Sequence, residues 1–323
     1  MAVITPWRAS SQRVADLYSS GVKLWLKQDL VHIEQQLAQS CTTEKFTVRS
    51  IDGSRMHIKN PMYGVQQPIC IVYSTPSGPP EAYQCTYLVD WTNRAFRNYQ
   101  EPLDNARVLF ETRQKGWNGS VTCEALTSHV TKIICFGLGD INFKLPDWRR
   151  AENESKQKCQ QEPETSEVEG ALIHYAIALT LADIARSCNK NGEIGVRLLT
   201  QDPDYTDESK NILREIGFEV TGEYGAGGFA GVDDKTVVFS AFAAAPVKQI
   251  IADLARQVAV IYPEITSDGE VFNKFHKPYA DPDSPRTREM WKGYQGWNFP
   301  AQAESPELKG SLFQLALYNR IGR

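Results

Sequence analysis

The sequence predicts, for residues 125–265, an α/β domain on a mostly parallel, doubly wound sheet. Three observations lead there. Short apolar runs (Lys132–Phe136, Gly195–Thr200, Lys235–Ser240, Val258–Tyr262) alternate with longer stretches of helical period. The runs are continuous rather than alternately polar, as expected of strands covered on both faces. Cap and turn residues fall between them: Thr206 before the Asp207–Ile216 pattern, Gly217 after it, and Pro246 at the first turn of Pro246–Arg256.

In chain order, the region through Glu124 reads as an α+β extension. Val22–Ala38 places Val22, Leu24, Trp25, Leu26, Leu30, Ile33 and Leu37 at helical spacing. Lys45–Ile51 and Arg55–Lys59 flank Asp52-Gly53, a hairpin signal. Pro68–Ser74 and Ala82–Val89 read as two more strands, and Leu103–Lys115 as a helix. In the central region, Ala171–Ser187 is a long helix preceded by the capping pattern Ser166–Glu169, and Phe218–Thr221 is a further strand. The polar stretch Ala151–Pro163 holds too little apolar surface to order itself and reads as a mobile loop. Gly225-Ala226-Gly227-Gly228 reads as a flexible hairpin or lid. From residue 266 the chain is rich in Pro, Gly and Trp, and Glu307–Ile321 carries an apolar stripe that predicts a helical tail docked on the body.

The 323 residues carry a net charge of −4, so no global basic field favours nucleic acid and such contact requires a local patch. No window approaches the run of ~18 consecutive apolar residues of a membrane span, and the first residues lack the basic start and apolar core of a signal peptide. A cytoplasmic protein is the expectation. The seven cysteines, scattered without a C-x-x-C pair, read as free thiols. Cys135, inside an apolar run, reads as a small buried hydrophobe.

In an open parallel sheet, ligands sit beyond the carboxyl ends of the strands. Three strand ends therefore matter. After the first, Gly137, Gly139 and Asp140 suit a backbone approach to a phosphate or carboxylate, or simply a tight turn. Asn142 stands where a third dinucleotide-fingerprint glycine belongs, which disfavours a nicotinamide cofactor. After the second, Asp202, Asp204 and Tyr205 are either polar functional groups or turn and cap residues of the next helix. With Asp140 they suit a guanidinium, an amine or a divalent ion. At the third lie Ser240, Phe242 and, one turn into a helix, Lys248. His174 sits near the start of the long helix, as a core histidine or a general base. Basic residues gather at Arg149, Arg150, Lys156 and Lys158, and again at Arg286, Arg288 and Lys292 among Trp291, Tyr294 and Trp297.

Lys132–Gly139, Ile173-His174-Tyr175-Ala176, Gln201–Tyr205, Leu213–Val220, Val237–Ser240 and Pro246–Arg256 together resemble the sensitivity-to-red-light-reduced family. The resemblance implies a Rossmann-like core. Fungal proteins similar to that family are transfer-RNA-dependent synthases of arginine-containing cyclic dipeptides, and the N-terminal extension and aromatic tail here look like theirs. That relationship implies an enzyme that joins an arginyl group from arginyl-tRNA to a second aminoacyl group as a diketopiperazine, with no cofactor and no metal. In it Asp140, Asp202 or Asp204 would pair with the guanidinium and Tyr205 or His174 would handle the proton. Ser240 would be a further catalytic candidate, Gly137, Gly139, Phe242 or Lys248 would contact the charged transfer-RNA end, and Arg149, Arg150, Lys156 and Lys158 would bind the transfer RNA. A non-enzymatic regulatory protein of the same family is the alternative, and a metal- or nucleotide-dependent transferase using the three aspartates a third.

Overall fold

The computed structural model describes residues 12–13, 16–17, 19–50, 52–60, 63–64, 68–73, 88–93, 130–142, 147–161, 166–188, 195–241, 243, 245–263, 281, 285–298 and 315–321. The helix expected at Leu103–Lys115 lies outside them, as does Phe242. For strands β3 (Pro68–Tyr73) and β4 (Leu88–Asn93) the backbone alone is described. These two pair antiparallel, so the second strand lies later in the chain than the expected Ala82–Val89.

A seven-stranded mixed sheet organises the chain. Strands β5 (Lys132–Phe136), β6 (Arg197–Gln201), β7 (Glu219–Val220), β8 (Thr236–Ser240) and β9 (Ala259–Pro263) are parallel, in spatial order β7-β6-β5-β8-β9. From β5 the chain steps outward through β6 to β7, then returns to the other side of β5 for β8 and β9. The winding thus reverses between β5 and β8. Alternate residues of each strand serve opposite faces, as the period of two requires. Ile133, Cys135, Leu198, Val237, Phe239 and Ile261 enter one apolar core with helix α3 (Ser166–Cys188) and Leu213 of helix α4 (Asp207–Glu215). Ile134, Phe136, Leu199, Val238 and Val260 enter the other, with helix α1 (Lys27–Ala38), the short α5 (Gly227–Ala230), α6 (Val247–Leu254) and α7 (Pro285–Trp291). Burial on both faces is why the sequence runs are unbroken.

Residues 170–188 of α3 form a stretch long and apolar enough, by composition, to cross a membrane. No run of that length was expected from the sequence. Here Leu172, Tyr175, Ala178, Leu181 and Ala182 of that stretch are buried against the sheet, as in a core helix.

The N-terminal extension packs on the second face. Trp25, Leu30, Ile33 and Leu37 are buried there with Phe46 and Val48 of strand β1 (Lys45–Arg49). β1 pairs with β2 (Arg55–Lys59) in the expected hairpin. Gly53 takes a positive φ of 88° in its turn, and the Asp52 carboxylate accepts from Ser54 N at 3.0 Å.

Three expectations are corrected. The tail from residue 307 is not a helix where it is described: Leu315–Arg320 is strand β11, antiparallel to β9, and Tyr294–Asn298 is strand β10 on its far side. A short unbroken apolar run such as Leu315–Tyr318 fits either element, and the unpaired backbone along β9 decides it, since a buried sheet edge needs partners. The polar stretch 151–163 is not a loop throughout: Asp147–Ser155 is helix α2, followed by a 3₁₀ turn at Lys158–Gln160. The glycine segment 225–228 is not a free lid but is held in place, as described next.

Candidate functional site

The carboxyl ends of β5, β6 and β8 form one rim, and the winding reversal falls between β5 and β8. Gly137 (φ 60°) follows β5, and a Cβ there would collide with the backbone of Ala243, just past β8. The first predicted strand end therefore meets the third through backbone, and only glycine fits the contact. Gly139 (φ 94°) offers its carbonyl to the Tyr175 hydroxyl at 2.9 Å.

Asp140 is buried. It accepts from the Ser209 hydroxyl, from Thr206 N at 3.0 Å and from Asn142 N at 2.9 Å. It thereby ties the end of β5 to the start of α4, whose N-cap is Thr206, accepting from Ser209 N at 3.1 Å. Burial raises the Asp140 pKa above the ordinary carboxylate value, opposed by these three donors and reinforced by the neighbouring charge of Asp204. Asp202 and Asp204 are half-buried on the rim. Asp202 caps its own turn, accepting from Asp204 N at 3.0 Å, the alternative the sequence left open.

Tyr205 lies below them. Its hydroxyl meets that of Tyr175 at 2.5 Å and that of Thr200 at 2.6 Å. Burial, with the charge of Asp202, holds the Tyr205 phenol well above its usual pKa. For Tyr175 burial again comes first, and Tyr205, Asp202 and Asp140 all push the same way. The Tyr205 hydroxyl is held between those of Tyr175 and Thr200. Asp140, Asp202, Asp204 and Tyr205 are brought together, with Tyr175, Thr200 and Ser209 joining them unforeseen. Tyr175 adjoins the singled-out His174 in sequence, and its helical spacing from Leu172 placed it on the core face.

Of the other candidates, His174, Ser240 and Lys248 are buried. His174 is 2% exposed, edge-on to Phe239 with ring centroids 6.0 Å apart, on the α3 face of the sheet. Ser240 is 1% exposed, in register with Phe136 inside the sheet. Lys248 is buried in a separate group: its backbone N donates to Asp281 at 2.5 Å, and its ammonium stands 6.0 Å from the Tyr262 ring centroid. Asp281 also accepts from Gln249 N at 3.3 Å and the Tyr262 hydroxyl at 2.9 Å, and so caps the start of α6. No sequence signal marked Asp281, which reaches α6 from a segment of no regular period. Arg150 on α2 is half-buried, Lys156 and Lys158 are exposed, and the side chain of Arg149 is outside the described residues. Among the described residues no group of three or more His, Cys, Asp or Glu side chains is arranged to hold a metal ion.

The glycine segment after β7 belongs to the same rim. Gln201 donates to Gly225 O at 2.9 Å and accepts from Gly228 N at 2.6 Å. The Glu34 carboxylate, from α1, accepts from Tyr224 N and Ala226 N at 2.9 Å and Gly227 N at 3.0 Å. A Cβ on Gly227 would press on Glu34 at 3.2 Å. Glu34→Ala is expected to lower stability by about 2 kcal/mol, because three partly buried N–H groups lose a charged acceptor. Urea unfolding measures this, and proteolysis within residues 222–228 should accelerate with it.

These features define an α/β protein with a mixed seven-stranded sheet and a polar rim at the carboxyl ends of its parallel strands. The SRR1 domain profile matches residues 107–280, which take in β5 through β9, and the chain belongs to the SRR1-domain family. No curated protein and no solved structure matches it.

Proposed function

We propose that the chain is an aminoacyl-tRNA-dependent cyclodipeptide synthase with a Rossmann-like core, using arginyl-tRNA as one substrate. One observation carries the reading. Carboxylates gather at the carboxyl rim: the charge of Asp204 bears on Asp140, and Asp140 and Asp202 both bear on the Tyr175 hydroxyl, which also meets Gly139 O and Tyr205. Gathering like charges is costly, and a bound cation relieves that cost. Asp202 and Asp204 are half-exposed and suit the guanidinium and free amine of an arginyl group, whereas Asp140 is engaged in holding the rim together.

The chemistry asks little of acid–base groups. The amine of one aminoacyl ester attacks the ester carbonyl of the other. An amide bond forms, the C–O bond to the first transfer RNA breaks, and the amine proton leaves with the ribose hydroxyl. The new terminal amine then attacks the remaining ester, closing the six-membered ring and releasing the second transfer RNA. Both esters are already activated, so holding the two groups together supplies most of the rate. Tyr205, Tyr175 and Thr200 form a fixed hydroxyl floor beneath the rim, and the exposed Lys156 and Lys158 offer phosphate contacts.

Expression in a heterologous host followed by mass spectrometry of small molecules tests the proposal. An arginine-containing diketopiperazine is expected from the wild type, falling at least tenfold in Asp204→Asn and Asp202→Asn variants that fold normally. A second reading, a non-enzymatic regulatory protein, is favoured by the burial of His174, Tyr205 and Ser240. A host extract without a diketopiperazine, together with a stable protein partner recovered by pull-down, would select it.

A further inference from the structure

Where α6 ends, the described residues line a cavity of about 200 Å³. Its walls are the Gly21–Lys23 segment, the last turn of α6 with Arg256 just beyond it, and one face of α7 bearing Arg286, Glu289 and Met290. Three cations, Lys23, Arg256 and Arg286, line it against two carboxylates, Asp253 and Glu289. Both carboxylates are engaged. Asp253, 6% exposed, pairs with Arg286 at 3.2 Å and accepts from Leu24 N at 2.8 Å and Trp25 N at 3.0 Å. Glu289 pairs with Lys292 at 2.7 Å on the exposed side.

Lys23 and Arg256 feel the charges of Asp253 and Glu289, but their hydrogen bonds go to backbone carbonyls. Lys23 Nζ donates to the Asp253 carbonyl at 2.6 Å, and Arg256 donates to the Met290 carbonyl at 3.2 Å. An ammonium carries three donors and a guanidinium five, so both keep capacity for a ligand. Arg286, 8% exposed, is fixed by Asp253 and by Gln249 at 2.8 Å, which makes it a rigid wall rather than a wandering surface charge. Three cations against two carboxylates leave the lining with an excess of positive charge, and an anion between Lys23 and Arg256 offsets it and satisfies their donors.

We propose that this cavity binds a small oxyanion, a carboxylate or phosphate group, through Lys23 and Arg256 with Arg286 as the fixed wall. Its lining shares no residue with the rim, and it does not depend on the function proposed there. Thermal unfolding of the whole chain, with inorganic phosphate or citrate titrated against sodium chloride at matched ionic strength, tests it. A saturable rise in Tm is expected with phosphate, citrate or both, and the stronger of the two names the group. Arg256→Gln and Lys23→Gln, which leave the Asp253–Arg286 pair intact, should each weaken that response at least tenfold in midpoint concentration. No saturable rise in the wild type, or an unchanged response in both variants, would overturn the proposal.

Discussion

Asp140→Ala is expected to lower the unfolding free energy by about 4 kcal/mol. Each donor left buried without an acceptor costs ~1–3 kcal/mol, and Asp140 serves three. Two of them are the Ser209 hydroxyl and Thr206 N at the first turn of α4, so their loss also frees that helix from the end of β5. Asp140→Asn keeps one acceptor oxygen and nearly the same shape, and should lose about half as much. Denaturant unfolding measures both. A loss under about 1 kcal/mol for the alanine variant would show that the rim is held by other contacts.

Asp281→Asn is expected to flatten the dependence of stability on pH. Burial raises the Asp281 pKa from 3.8 to about 7, against the favourable pull of Lys248 and the donors of α6 and Tyr262. A carboxyl whose folded pKa lies above its unfolded value binds its proton more tightly when folded. Its contribution is therefore fully present below about pH 3.8 and is lost as pH rises through about 7. At ~1.4 kcal/mol per unit, the wild type should lose about 4 kcal/mol across that window through this group. Asp140, Asp253 and Glu34 are shifted upward too, so the wild type carries a residual slope of the same sign. The difference between the two proteins isolates Asp281. Parallel profiles for wild type and Asp281→Asn would contradict the assignment.

The parallel core was legible because its strands are buried on both faces, which leaves unbroken runs such as Lys132–Phe136, and because Thr206 and Gly217 mark their helix ends by local chemistry. The tail was not legible. Leu315–Tyr318 is short and wholly apolar, and its conformation is set by the open edge of β9, more than fifty residues away in sequence. Helix α2 was missed for a related reason: its residues are polar, and composition alone does not report whether a segment is helical.

At the site, strand-end placement located Asp140, Asp202, Asp204 and Tyr205, since a parallel sheet brings the ends of neighbouring strands to one edge. It did not tell a carboxylate buried inside the protein from one at the half-buried rim. Asp140 differs from Asp202 through the Ser209 hydroxyl and the backbone of Thr206, contacts that exist only once α4 is docked. Asp281 and Glu34 were invisible for the same reason. Each caps backbone from a distant part of the chain, α6 for Asp281 and the segment after β7 for Glu34.

The most direct test is reconstitution from purified components. The chain would be mixed with transfer RNA charged with radiolabelled arginine and a second pool of aminoacyl-tRNAs, with and without ribonuclease. Label appearing in a diketopiperazine, abolished by ribonuclease and by Asp202→Asn/Asp204→Asn, is the predicted result. Arginyl-tRNA that loses its label only to free arginine, at the rate seen without protein, would contradict it.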